Sequence, residues 1–247
     1  VTSGIDGLYP PGLPVGKVRV VKPYVGGGFG IKAAANTGEL AACLLARKTG
    51  KPVKFIYSRE QVFMLCRARH QFVHRMTTGV KKDGTLLALQ HECHLDGGAY
   101  SSFGIATVYY AGSLLGGPYK LPNMKYDGWR VYTNKPTCGA QRGHGGVAAR
   151  AAWEQQLDMI AEELGMDPVQ LRLKNMMQAG DVTCNDLNMS SLGMKECIEE
   201  ADAGDAEFPG TPNHLWAELA AFIANVIHRK QDGIEGKALK QGQSGGN

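Results

Sequence analysis

A glycine-rich loop near the start of the chain restricts the fold more than any other stretch of the sequence. Four of the six residues after Val25 are glycines, and the stretch ends at Lys32. Glycine adopts positive φ angles, and without side chains the backbone N–H groups can approach an anionic ligand. A second loop, residues 139–146, places Arg142 and His144 among four glycines, so that a cation and a titratable ring lie on another exposed backbone. We expect the two loops to share one cofactor.

The spacing in the first loop excludes two common nucleotide-binding motifs. A dinucleotide fingerprint has glycine at its first, third and sixth positions, and Ile31 occupies the sixth. A Walker loop requires Gly-Lys-Ser/Thr, but Lys32 follows Ile31 and precedes Ala33. The remaining prediction is a glycine-rich turn between a strand at residues 18–21 and a helix that begins near Asn36. A tight turn without a ligand is the alternative.

Composition and charge favour a soluble cytoplasmic protein. The chain has 247 residues, enough for one large or two modest domains. The net charge of +4 is dispersed, so nucleic acid is not an expected partner. No apolar run is long enough to span a bilayer, and residues 1–17 lack the order of a signal peptide. The six cysteines form no Cys-x-x-Cys pair, which favours reduced thiols.

The hydrophobic pattern predicts an α+β (mixed α/β) fold. Strands are predicted at residues 17–22, 52–57, 71–80, 85–96 and 126–133, with an Asp-Gly hairpin turn before the fourth. Helices are predicted at residues 36–48, 147–164, 167–177, 193–201 and 213–230, followed by a polar tail at 231–247. Residues 101–115 contain no charge and are expected to belong to the core or to line a pocket.

Several short phrases accompany the two loops in one order along residues 15–201. They include Ser58-Arg59-Glu60, Lys82-Asp83-Gly84-Thr85, Asp96-Gly97-Gly98-Ala99-Tyr100, Tyr119-Lys120-Leu121-Pro122-Asn123 and Leu164-Gly165-Met166-Asp167-Pro168. The ordered set resembles the molybdenum-pterin-binding large subunits of the molybdenum hydroxylases, which include xanthine dehydrogenases and aldehyde oxidoreductases. The resemblance implies an incomplete domain of the aldehyde oxidase/xanthine dehydrogenase type, with an unmatched loop at residues 1–14 and an unmatched tail at 202–247.

The resemblance also implies a cofactor and a reaction. The loops would contact a molybdenum-pterin cofactor, molybdopterin or its cytosine dinucleotide, through Gly27, Gly28, Phe29, Gly30, Arg142 and Gly143. The reaction would be two-electron hydroxylation, or reductive dehydroxylation, of an aromatic or aldehyde-type substrate. The chain has no cysteine pattern for an iron–sulfur cluster. Iron–sulfur clusters and FAD are therefore expected on partner subunits or on parts of the chain outside this sequence.

Sequence differences between members of the family narrow the range of expected substrates. Gly143 stands where carbon monoxide dehydrogenases carry a copper-binding cysteine. Ala33 and Ser101 stand near the places where xanthine dehydrogenases usually carry a glutamate and an arginine. The second loop, residues 139–146, is called the arginine loop below. With His144 in this loop, the pattern looks most like 4-hydroxybenzoyl-CoA reductase, which implies an aromatic acyl-CoA substrate.

Four aromatic residues are candidates for the substrate side of the site. Phe103, Tyr109 and Tyr110 would line a channel for an aromatic substrate, or else pack in the core. His144 would be a proton shuttle, or a loop histidine bonded to a carbonyl group.

Two features of the family are absent from the sequence. Residues 1–14 do not match its glutamine-bearing segment, and the Gly-Glu-Pro phrase with the catalytic glutamate does not occur. No catalytic residue is therefore assigned. The alternative functions are a truncated, non-catalytic chain without cofactor, and another molybdenum hydroxylase such as an aldehyde or xanthine dehydrogenase.

A separate hypothesis concerns a zinc site. His70 and His74 share one face of a predicted strand, as do His91 and Cys93 of the next strand, and His94 follows. A cross-strand metal cluster is possible, while ordinary hydrogen-bonded histidines are the alternative.

Overall fold

A computed structural model describes residues 14–207 of the chain, which divides into two compact units, Val1–Ser190 and Ser191–Asn247. The first unit contains the 3₁₀ turns Val15–Lys17 and Ile31–Ala33, α1 (Thr37–Thr49), α2 (Arg59–Leu65), β1 (Gln71–Val80), β2 (Leu86–Asp96), α3 (Gly104–Ser113), β3 (Asn123–Val131), α4 (Gly146–Leu164) and α5 (Pro168–Asn175). The second unit contains α6 (Met194–Glu207). The α+β class is confirmed. No helix between residues 14 and 207 has the length and apolarity to cross a membrane.

One three-stranded sheet, in the order β1-β2-β3, is the centre of the first unit. β1 and β2 form the predicted antiparallel hairpin, in which Gln71 lies opposite Asp96. Its turn is closed by the Lys81 N–H, which donates to the Thr85 carbonyl oxygen at 2.9 Å, and Gly84 adopts a φ of 83°. β3 runs parallel to β2, as expected for strands joined by a crossover that contains a helix.

Two of the predicted strands are wrong. Residues 17–22 and 52–57 pair with no strand within residues 14–207, and Val20 and Val21 are both 67% exposed. Alternating valine indicates extended backbone, but a strand also requires a hydrogen-bonded neighbour. α2 was not expected from the sequence. It begins with a capping box in which Ser58 accepts from the Gln61 N–H and the Gln61 side chain accepts from the Ser58 N–H.

The remaining helices agree with the sequence signals at their ends. α1 begins after Asn36 in a capping box with Glu39 and ends at Gly50 in the left-handed region. α5 begins after Asp167, whose carboxylate accepts from two backbone N–H groups. α6 extends six residues past the expected end at residue 201. The helix predicted at residues 213–230, the tail at 231–247 and all but the last residue of the loop at 1–14 lie outside the described residues.

The core lies between one face of the sheet and helices α3 and α4. Alternate residues of β2 are buried on this face, and Trp153 and Leu157 of α4 are 1% exposed. Asn175 joins α5 to the hairpin, because its Oδ1 accepts from the Leu86 N–H and its Nδ2 donates to the Gly84 carbonyl oxygen. Arg172 of α5 forms ion pairs with two carboxylates of α4. These contacts hold α4, whose first turn continues from the arginine loop.

Candidate functional site

The two glycine loops meet backbone to backbone. The Arg142 N–H donates to the Phe29 carbonyl oxygen at 2.8 Å. A Cβ atom added at Gly30 would lie 2.4 Å from the carbonyl oxygen of Ala140. The structure therefore brings together the two loops that the sequence singled out, and glycine is required at residue 30 for their approach.

The first loop presents backbone N–H groups without internal partners. Gly27, Phe29 and Gly30 have φ angles of 128°, 49° and 98°. Within residues 14–207, the N–H groups of Gly28, Phe29 and Gly30 donate no hydrogen bond. Lys32 Nζ donates to the Gly27 carbonyl oxygen at 2.9 Å, which places a cation against the loop. The Phe29 side chain is 60% exposed.

The second loop carries one arginine and contacts another from the segment before β1. Arg142 is exposed, and its carbonyl oxygen accepts a 2.7 Å hydrogen bond from the Arg69 guanidinium. Gly143 and His144 have φ angles of 86° and 42°, and the Gly146 N–H donates to the Gly143 carbonyl oxygen where α4 begins. The Lys32 and Arg69 side chains thus place one positive charge against each loop, and the exposed Arg142 lies at the hydrogen bond between the loops.

The segment before β1 connects both loops and was not recognised from the sequence. The Arg67 guanidinium donates to carbonyl oxygens that follow the first loop, including Ile31 at 3.1 Å and Ala34 at 3.0 Å. On the second loop, the Gly139 N–H donates to the Ala68 carbonyl oxygen at 3.0 Å. The available signal was the run Arg67-Ala68-Arg69 directly before a predicted strand.

Two cavities adjoin these loops. One of about 540 Å³ is mainly apolar, and its lining includes Gly27, Gly28, Phe29 and Tyr57. The other, of about 410 Å³, is lined in part by Arg67, Tyr100, Ser102 and Phe103. Cavities of this size accommodate small-molecule ligands.

Aromatic rings cluster beside the arginine loop. The ring of His144 lies 5.3 Å from that of Tyr110 and 6.3 Å from that of Phe103, measured between centroids. Tyr109 packs edge-on against Tyr110 and is 65% exposed. Nε2 of His144 lies 3.3 Å from the Phe103 carbonyl oxygen. Of the predicted substrate residues, Phe103 and Tyr110 contact His144, and Tyr109 lies at the edge of the group.

A turn at the end of β2 is fixed by charged side chains next to this cluster. The Arg130 guanidinium donates to the carbonyl oxygens of Gly97 at 2.7 Å and Tyr100 at 2.9 Å. Burial raises the pKa of Asp96, but hydrogen bonds from Lys135 and other donors outweigh this effect and lower it to about 2. His70 accepts from Arg130, and its burial together with that guanidinium lowers its pKa to about 4.

The proposed five-residue metal cluster is divided by the sheet. His94 lies on the face opposite the core, where it bonds Glu92 at 2.8 Å and stacks on Trp129. Nε2 of His70 accepts a hydrogen bond from Arg130. Only the side chains of His74, His91 and Cys93 remain together, within 4.8 Å of one another.

Comparison with known proteins decides the family. Residues 11–176 match the family model described as the molybdopterin cofactor-binding domain. The chain belongs to this family. The resemblance to the molybdenum hydroxylase large subunits is therefore confirmed, whereas the domain limits at residues 15 and 201 stay predictions.

The relatives that the chain matches are longer proteins. The chain is 38% identical over 199 residues to the nicotinate dehydrogenase large molybdopterin subunit of Eubacterium barkeri, covering 80% of the chain and 47% of that subunit. It is 36% identical over 189 residues to the aldehyde oxidoreductase of Megalodesulfovibrio gigas, covering 76% of the chain and 21% of the relative. The solved structure of quinoline 2-oxidoreductase from Pseudomonas putida 86 superposes with a TM-score of 0.69 at 30% identity, over 79% of the chain and 26% of that protein. The chain thus spans less than half the length of these relatives.

The residues at the loop contact fit the family's cofactor. Molybdopterin carries a phosphate group and a hydrogen-bonding pterin, so its site requires cations and backbone donors. The loops and Arg69 offer both, through the first-loop N–H groups that have no partner within residues 14–207 and through the cations of Lys32, Arg69 and Arg142.

Proposed function

We propose that the two loops hold the molybdenum-pterin cofactor of a molybdenum-hydroxylase-type oxidoreductase. The proposed contacts are made by Gly27, Gly28, Phe29, Gly30, Arg142 and Gly143. The observation that carries the proposal is the hydrogen bond from the Arg142 N–H to the Phe29 carbonyl oxygen, because it places both sets of residues at one position. When bound, the cofactor supplies two-electron oxidation or reduction at a carbon atom.

The chain's own residues would bind the cofactor and orient it. The N–H groups of Gly28 and Gly30, which have no partner within the described residues, would donate to acceptors of the cofactor, and the charge of Arg142 would attract its phosphate. Lys32 holds the first loop through Gly27 and adds a second positive charge. The backbone contacts fix these groups before the ligand arrives, which lowers the entropy lost on binding.

The substrate we propose is aromatic. The rings of Phe103, Tyr109, Tyr110 and His144 form one group beside the arginine loop, and flat aromatic ligands pack well against such rings. Nicotinate dehydrogenase and quinoline 2-oxidoreductase, whose names denote heteroaromatic substrates, support this class. An aromatic acyl-CoA such as 4-hydroxybenzoyl-CoA belongs to the same class. His144 would move a proton at its Nε2 atom once substrate displaces the contact with the Phe103 carbonyl oxygen.

We propose that electron transfer uses iron–sulfur clusters and FAD on partner subunits or on further parts of the same polypeptide, and that the assembly acts in the cytoplasm. The six cysteines do not supply a cluster site within this sequence.

The experiment is metal and pterin analysis of the chain co-expressed with its iron–sulfur and FAD subunits. Wild type should contain molybdenum and pterin in equal amounts, and Arg142→Ala should lose most of both. Arg75→Ala is the matched control, because Arg75 is exposed and forms only a surface ion pair. Unchanged molybdenum in Arg142→Ala would contradict the cofactor assignment. The loaded complex is then assayed with nicotinate, 4-hydroxybenzoyl-CoA, an aromatic aldehyde, xanthine and an aliphatic aldehyde. Turnover of the aliphatic aldehyde alone would refute the proposed aromatic class.

A further inference from the structure

Three metal-binding side chains lie together on the buried face of the sheet. Register pairs His74 of β1 with Cys93 of β2, and His91 lies two residues before Cys93 on the same face. His91 and Cys93 are fully buried, and their ligand atoms and that of His74 lie within 4.8 Å of one another. The cluster lies outside the glycine loops and has no role in the cofactor site.

The two histidines are not fully satisfied by each other. Nδ1 of His74 lies 2.9 Å from Nε2 of His91, so a neutral pair can share one hydrogen bond. The outer nitrogens, His74 Nε2 and His91 Nδ1, are buried and have no partner within the described residues. One hydrogen bond thus serves two buried rings, and the Cys93 thiol is hydrogen-bonded to Tyr126 rather than to either ring.

We propose that His74, His91 and Cys93 form a zinc site. Two imidazole nitrogens and one sulfur make up the ligand set that Zn²⁺ prefers, whereas Mg²⁺ and Ca²⁺ need oxygen ligands. Three metal–ligand bonds would replace the single hydrogen bond between the rings. Binding converts the Cys93 thiol to a thiolate, and the released proton passes to solvent.

The distances require small adjustments. Zinc–nitrogen bonds of about 2.0–2.1 Å in a tetrahedron separate two nitrogens by about 3.3 Å. The facing nitrogens of His74 and His91 are 2.9 Å apart, so the rings would separate by about 0.4 Å. The Cys93 sulfur already lies within 4.8 Å of the ligand nitrogens, and it would move closer to them when zinc binds. Tyr126 packs against His91 at a centroid distance of 5.2 Å, which closes one side of the site. A water molecule would complete the four ligands.

The test uses the full chain, stripped with a chelator and dialysed against Zn²⁺ or Co²⁺. We expect about one zinc per chain by elemental analysis, and the cobalt form should show a thiolate-to-cobalt charge-transfer band in the near ultraviolet. Cys93→Ser should abolish this band and weaken zinc binding by more than about 100-fold, since loss of outer-shell partners alone gives about 10- to 100-fold. His91→Asn provides a second variant, and circular dichroism verifies that each remains folded.

Two matched controls separate this site from adventitious binding. His94→Gln changes a histidine on the opposite face of the sheet, and Cys43→Ser removes an exposed thiol. Both should retain zinc and the cobalt band. Absence of the sulfur band in folded wild type, or equal zinc binding by Cys93→Ser, overturns the proposal and leaves a hydrogen-bonded imidazole pair. The result is independent of the molybdenum site, because Arg142→Ala should bind zinc as wild type does.

Discussion

Gly30 is the residue at which the contact between the two loops can be tested most directly. It adopts a φ of 98°, and a Cβ atom there would lie 2.4 Å from the Ala140 carbonyl oxygen and 3.0 Å from the Gln141 nitrogen. Ordinary contact with such an atom begins at 3.4 Å, so Gly30→Ala requires the loops to separate by about 1 Å. Both neighbours are backbone atoms and cannot move aside by changing rotamer.

The expected loss of stability has two sources. Positive φ destabilises a non-glycine residue by about 1–2 kcal/mol. Overpacking a close contact adds about 1–3 kcal/mol, which brings the total to about 2–5 kcal/mol. For a chain of this length the melting temperature should fall by roughly 5–15 °C. Since the same contact aligns the proposed cofactor groups, molybdenum content should fall even where the variant remains folded.

The assay combines thermal unfolding of the chain with molybdenum and pterin analysis of the co-expressed complex. Gly26→Ala is the control in the same loop, because its added Cβ would meet no atom within 4 Å and its φ is not positive. If Gly30→Ala melts within about 2 °C of Gly26→Ala and loads equal molybdenum, the backbone contact between the loops does not determine the site.

Three further predictions concern stability. Asn175→Leu leaves a buried N–H of β2 without its acceptor and should lower the free energy of unfolding by about 2–4 kcal/mol in urea titrations. Arg172→Met removes a guanidinium that is 16% exposed and pairs with two carboxylates of α4, and the loss in the same assay should be about 1–3 kcal/mol. The pKa of His70 is lowered to about 4, against 6.5 for the ordinary group, so the unfolded chain binds more protons between these values. Stability should therefore decrease as pH falls from 6.5 to 4, by at most about 1.4 kcal/mol per pH unit, and the decrease should be smaller in His70→Asn.

The sequence predicts those elements whose signals are local. The hairpin of β1 and β2 follows from Asp83-Gly84 between two alternating runs, and α1 follows from its cap at Asn36 and its stop at Gly50. Residues 17–22 and 52–57 show the same alternation, yet they do not pair. Pairing depends on a neighbour that is distant in the chain, and alternation does not reveal whether one is available.

The same distinction applies to the site. Glycine enrichment identifies both loops, since a strained backbone requires that residue wherever it occurs. The bridging role of Arg67 and Arg69 cannot be read from the sequence. Arg67 donates to Ile31, which is 36 residues away, and Arg69 donates to Arg142, which is 73 residues away. Likewise, alternation shows which candidate metal ligands share a face within one strand, but only the register between strands shows that His74 and Cys93 are neighbours.

The contacts also indicate which loop positions the other. The Cys138 N–H donates to the Gly97 carbonyl oxygen, which Arg130 also binds, so the arginine loop begins from a turn fixed to the end of β2. Its other end continues into α4, whose Trp153 is buried in the core. The first loop has no comparable attachment to the sheet within the described residues. It is held by Arg67 and by the hydrogen bond to Phe29. The arginine loop is thus part of the rigid framework, and the first loop takes its position from the arginine loop.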